Sequence, residues 1–151
     1  MSNQSTKERI QNDLIKFMKS GAKDKVDILR FAQSFIKQSE KDKNIELSES
    51  ETIQVLKKVI KRNQESFDQF IKAGRDDLAE QEKREIDVLK IYLPEEMSES
   101  DVIKTVKDSI ASCQATSIKD MGKVIAYVKK SHGDNVDMGI VSKYVKDLLS
   151  S

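Results

Sequence analysis

Residues able to carry covalent or metal chemistry are scarce in this 151-residue chain. It has one cysteine, Cys113, and one histidine, His132. A cysteine nucleophile needs a base beside it to hold the thiolate, and a zinc site needs several such ligands together. Neither residue sits in a local signature of either kind. Cys113 closes an apolar run and reads as a small buried thiol. His132, in Lys129-Lys130-Ser131-His132-Gly133, falls at a helix end, where a cation favours the helix dipole. Its other reading is a polar contact within a binding patch. Gly74-Arg75 and Gly122-Lys123 lack the spaced glycines that turn several backbone N–H groups toward a phosphate. No Gly-Ser-Ser-rich amidase stretch occurs, and Glu95-Glu96 reads as a solvated pair. We therefore expect no catalytic residue, no metal site and no cofactor site in the chain itself.

Two basic segments stand out from their surroundings. Lys57, Lys58, Lys61 and Arg62 lie within about one helical turn of each other. They read either as a solvated helix back or as a contact for phosphate. The second segment is Asp120-Met121-Gly122-Lys123-Val124. A glycine in the first turns of a helix costs roughly 1 kcal/mol against alanine. Gly122 would repay that by letting another helix, or a ligand, come close; Gly139 invites the same argument. Lys119, Lys123, Lys129, Lys130, Lys143 and Lys146 supply most of the cations of this C-terminal part. Tyr127 and Tyr144 are its only aromatic side chains able to stack on a base.

Seven amphipathic helices must position these residues. Ile10, Leu14, Phe17 and Met18 recur at spacings of three and four and predict a helix over 6–20, ended by Gly21. Ile28, Leu29, Ala32, Phe35 and Ile36 predict a second over 24–40, followed by a polar, mobile linker at 41–44. Ser48 and Glu51 match a capping box opening a third helix that runs to Ala73. At that length part of it should project or bridge elements. A fourth runs over 76–93, where Pro94 ends it. Three shorter helices follow, opening at Ser98, Ser117 and Asp137; the first two carry Asp101 and Asp120 at the capping-box offset. We expect an all-α fold with a helical N-terminal domain at 1–94 and a small three-helix domain at 98–151.

Composition narrows the function class. Charged residues make up 35% and hydrophobic residues 37%, a balance that suits long helices with solvated faces. One proline and five glycines are too few turn formers for an all-β chain of this size. The formal net charge of +1 gives no global pull toward nucleic acid or membrane, so any RNA affinity must come from a local patch. No apolar run reaches the length of a membrane span, and the N-terminal residues show no targeting pattern. A lone cysteine suits a reducing compartment, and the cytoplasm is the expected location.

Arg62 through Glu82 reads RNQESFDQFIKAGRDDLAEQE. Together with Leu29-Arg30 before it, and with Tyr92-Leu93-Pro94 and Asp120-Met121-Gly122-Lys123-Val124 after it, this segment resembles the GatB/YqeY family. The order and separations agree along essentially the whole chain. The resemblance implies a two-part helical fold shared with the tail of the GatB component of the glutamyl/aspartyl-tRNA amidotransferase. There the tail contacts tRNA, while ammonia release and transfer take place elsewhere. It thus implies an accessory, tRNA-binding-like module, with tRNA or a translation-related protein as partner and no membrane. The family is associated with carbon–nitrogen ligase activity using glutamine as amido-nitrogen donor, which nothing in these residues supports for the isolated chain. Arg75, Gly122 and Lys123 match recurrent family positions. Arg75 also follows a helix stop, and bonding the free carbonyls there is the role we expect for it. Phe67, Phe70, Leu78 and Leu93 are expected in the core or at the joint between the domains. The alternative is a protein–protein interaction module without an RNA role, docking a partner helix on the third and fourth helices.

Overall fold

The structure, a computed structural model, describes residues 4–150. All regular elements among them are helical. Helix α1 (Thr6–Ser20) opens where the Ser5 side chain accepts from the Glu8 N–H, and closes at Gly21 with φ +75°. Helix α2 (Lys23–Lys43) runs past the expected end at Glu40, so the polar segment at 41–43 is helical. Asn44 supplies the stop instead, in the left-handed conformation with φ +54°, which asparagine adopts more readily than most side chains. Helix α3 (Glu49–Lys72) carries the predicted capping box in full: Ser48 Oγ accepts from the Glu51 N–H, and Glu51 accepts from the Ser48 N–H. Helix α4 (Asp76–Lys90) ends one turn before Pro94. The tight turn there has Tyr92 and Leu93 donating to the carbonyls of Leu89 and Lys90, so proline is not what stops it.

The chain divides into two compact units, Met1–Leu93 and Pro94–Ser151. In the first, the apolar stripes of the helices meet in one cluster that includes Ile10, Leu29, Ala32, Leu56, Leu89 and Tyr92, all essentially without solvent exposure. The first helix is fastened at its start by a distant residue. The Thr6 N–H donates to both carboxylate oxygens of Glu49, at 2.9 and 3.1 Å, and the Thr6 hydroxyl donates to the same carboxylate. Beyond Asn63 no residue of α3 belongs to the central cluster, and Phe67 and Phe70 are half-buried outside it. Ile71 is 48% and Leu78 37% exposed at the hairpin tip. Phe67, Phe70 and Leu78 thus lie outside the core; of the four residues expected in the core or at the joint, only Leu93 packs against the cluster.

The second unit holds α5 (Glu99–Cys113), a 3₁₀ turn (Ile118–Asp120), α6 (Met121–His132) and α7 (Met138–Ser150). Its core is built of valines, Val106, Val124, Val128, Val141 and Val145, all fully buried, with Val102, Val136 and Cys113 around them. Valine is a modest helix former, so packing of the three stripes rather than local propensity holds these helices together. Ser98 caps α5 as expected, accepting from the Asp101 N–H at 3.2 Å. The capping box expected at Ser117 does not form. Ser117 makes no side-chain cap bond, and Asp120 accepts instead from the Thr116 N–H at 2.9 Å, which folds the entry into a 3₁₀ turn. That bond also holds the Asp120 carboxyl below the usual carboxylate range.

Candidate nucleic-acid interface

The four cations expected on α3 do not act as one patch. Lys58 and Arg62, one turn apart, line a groove of about 350 Å³ between α2 and α3; Lys57 and Lys61 do not line it. Lys57 is half-buried, and the other three are exposed. Among the described residues Lys58, Lys61 and Arg62 make no ion pair within 4.0 Å. The apolar floor of the groove is Val55, Val59 and Phe35, and its α2 wall is Gln38, Ser39 and Asp42. The Arg62 guanidinium lies over the Phe35 ring, 5.6 Å from its centroid. Phe31, 40% exposed, meets Phe35 edge to face at 4.9 Å. Gln38 donates to Asp42 at 2.8 Å. One acid tempers the cationic side: burial and the neighbouring Glu85 raise the Glu82 carboxyl, while Arg62 pulls it down. The sequence pattern missed the role of Phe31 and Phe35. Both fit the spacing of a helix stripe, which does not say that the stripe's edge reaches a cation on another helix.

The second basic segment lies along α6. Lys119, Gly122, Lys123, Lys129 and Lys130 are all exposed. Residues 123, 126, 127 and 130 fall on one side of the helix by spacing. Tyr127, 44% exposed, and the small Ala126 separate Lys123 from Lys130 on that side. A side chain at Gly122 would find no heavy atom within 4 Å. The expectation that Gly122 permits tight helix packing is therefore corrected: nothing in its own unit approaches it. Gly139 differs, since a side chain there would lie 3.1 Å from the Asp137 carboxylate, which accepts from the Gly139 N–H. Tyr144 is half-buried and donates its hydroxyl to Glu99, which leaves Tyr127 as the exposed ring.

Cys113, His132 and Arg75 are placed as follows. Cys113 is a buried free thiol in the valine core. His132 is the last residue of α6, half-buried beside Gly133. The Arg75 side chain does not reach the carbonyls at the end of α3. It faces Asp77 at 3.4 Å, and it is the Arg75 backbone N–H that bonds the Phe70 carbonyl at 2.8 Å. Among the described residues no group of three or more histidine, cysteine or carboxylate side chains is arranged to hold a metal ion. No helix among the described residues is long and apolar enough to cross a membrane.

An all-α protein with two separately packed helical units and cationic surface on α3 and α6 is the class that these observations define. Residues 7–149 match the family described as Yqey-like protein, and the chain belongs to that family. A relative from Schizosaccharomyces pombe, an uncharacterized protein designated C22F3.15, is 37% identical over 89 residues, covering 59% of this chain and 72% of the relative. A second, from Pyrenophora tritici-repentis, is named altered inheritance of mitochondria protein 41, mitochondrial. It is 29% identical over 148 residues, covering 95% of this chain and 80% of the relative.

Proposed function

We propose that the protein is an accessory RNA-binding module of the tRNA class, which recognises shape and phosphate backbone and contributes no catalytic group of its own. The observation that carries this reading is the surface of α6 around Gly122. A helical glycine costs stability, and no neighbour in its own unit uses the space that it leaves. Lys119 and Lys123 adjoin it in sequence, and the exposed Tyr127 ring and then Lys130 follow along the side of the helix that carries Lys123. A bare backbone flanked by cations suits a phosphodiester chain lying close against the helix, and a ring beside it suits an unpaired base. The resemblance to the tail of the amidotransferase GatB component points the same way and gives the amidation of glutamyl- or aspartyl-tRNA as the setting.

Fluorescence anisotropy of bulk tRNA with the purified chain tests the reading. Binding should weaken steeply between low and moderate salt, because phosphate contacts release counterions. Lys123→Glu should weaken it further. Absence of binding at low salt rejects the RNA role for the chain.

The alternative, a protein-interaction module, is favoured by one feature, the apolar tip of the α3–α4 hairpin with Ile71 and Leu78 exposed. Charge reversal on α6 would leave a partner held at that tip unaffected, whereas Ile71→Ser would release it. The lone buried thiol suits a reducing compartment, and we assign the protein to the cytoplasm. Since one relative carries a mitochondrial name, fractionation between cytosol and mitochondria is the check.

A further inference from the structure

We propose that the groove between α2 and α3 is a nucleotide site, with a preference for guanine. The inference stands on the first unit alone and does not rest on RNA contact at α6. Three kinds of wall meet in one groove of ligand size. Lys58 and Arg62 give two exposed cations one turn apart, with no ion pair to satisfy them among the described residues. Val59 and its apolar neighbours give a floor against which a base can lose water. Gln38 and Asp42 give an amide and a carboxylate on the facing wall.

The three sit in a useful order. Phe35 and Asp42 are seven positions apart on α2, which is roughly 10 Å along the helix at about 1.5 Å per residue. That is near the distance from a 5′-phosphate to the far edge of its base. Arg62 stands at the Phe35 end, 5.6 Å from the ring centroid. A phosphate at Arg62 and Lys58 therefore sets the base edge toward Gln38 and Asp42. Contact with the ring holds Arg62 before any ligand arrives, so less side-chain freedom is lost on binding. The carboxylate decides the base. Asp42 offers acceptors only, and Gln38 donates to one of its oxygens. Guanine is the common base that presents two adjacent N–H donors on one edge, at N1 and N2, and so satisfies a carboxylate. Adenine presents a donor beside an acceptor and leaves the carboxylate facing a lone pair. Asp42 lies at the end away from Arg62, where it selects the base, while Glu82 is the acid that acts on the cationic end.

Amide chemical shifts of the full ¹⁵N-labelled chain, titrated with 5′-GMP, 5′-AMP and inorganic phosphate, test the proposal. We expect GMP to shift the amides around Phe35, Ser39 and Lys58, with affinity about tenfold above that for AMP and for phosphate. Lys58→Glu with Arg62→Glu should abolish the shifts for both nucleotides. Asp42→Asn, an exposed change that leaves the cations in place, should remove the preference for GMP while AMP still binds. A short single-stranded RNA containing guanine extends the series: tighter binding than GMP makes a strand the source of the nucleotide, and weaker binding makes the free nucleotide the source. Three results overturn the proposal: no shifts with millimolar GMP, equal affinity for phosphate alone, or shifts that survive the double charge reversal. Lys123→Glu serves as the separate control. If it abolishes tRNA binding while the GMP shifts are absent, the RNA role stands and the groove proposal fails.

Discussion

The Tyr92 hydroxyl donates a 2.6 Å hydrogen bond to the Asp13 carboxylate, joining residues 79 positions apart and tying the end of the first unit back to α1. Arg9 completes the arrangement, its guanidinium 5.3 Å from the centre of the Tyr92 ring and donating to the Ile91 carbonyl at 3.1 Å. Burial first, and the bond to Asp13 second, push the Tyr92 phenol above the ordinary tyrosine range. A phenol raised in the folded state stabilises it in full below the unfolded value, near about 10, and loses that contribution as pH rises further. Tyr92→Phe should cost about 1.5–3 kcal/mol in urea unfolding at neutral pH, the range for a hydrogen bond to a charged group. It should also flatten the loss of stability above about pH 10.

At the other end of the scale stands Glu40. It accepts from Lys7 Nζ at 2.6 Å and from the Leu47 N–H at 2.8 Å, and these bonds hold its carboxyl below the ordinary range. A lowered carboxyl contributes stability above its unfolded value, near about 4.3, and loses it as pH falls. Glu40→Gln should therefore lower the melting temperature at neutral pH. The gap from the wild-type protein should close in acid, a pattern that melting curves from pH 7 down to about pH 3 would display.

Two glycines should respond to alanine in opposite directions. Gly74 has φ +71°, a conformation in which a Cβ is strained whatever room it finds, so Gly74→Ala should destabilise by about 1 kcal/mol. Gly122 is helical and open, so Gly122→Ala should stabilise by roughly 0.5–1 kcal/mol. If α6 lies against RNA at that point, the same substitution weakens tRNA binding. Thermal melts and anisotropy on one preparation check both halves.

The start of α6 gives a sharper local test. Asp120→Ala removes the acceptor for the Thr116 N–H and should lower the stability of the second unit, whereas Ser117→Ala, which removes no bond, should leave it unchanged. Hydrogen exchange of the α6 amides would distinguish the two variants.

Helix count and most helix starts were legible because their causes are local. Ser48 with Glu51, and Ser98 with Asp101, satisfy free N–H groups three residues away, within the reach of pattern reading. The same reasoning failed at Ser117, because Thr116 beside it offers Asp120 a rival N–H, and the choice between the two is made by geometry. It placed the end of α4 too late, since Ile86, Leu89 and Tyr92 keep helical spacing through a turn that is no longer helix. Of the interface, the lysines were legible as charges but their partition was not. Which of Lys57, Lys58, Lys61 and Arg62 face α2 depends on how α3 is rotated in its packing. The pairing of Arg62 with Phe35, the bond from Tyr92 to Asp13 and the hold of Glu49 on Thr6 join residues far apart, and no local pattern encodes them.

That hold has a consequence for the order in which the molecule comes together. The N-terminal helix has its opening backbone donor satisfied by a carboxylate 43 residues downstream. On the ribosome, at about 5–20 residues per second, that carboxylate is made roughly two to nine seconds after the threonine it fastens. Through that interval the Ser5 side chain is available to cap the nascent helix, and the bond to Glu49 waits on the helix's own successor.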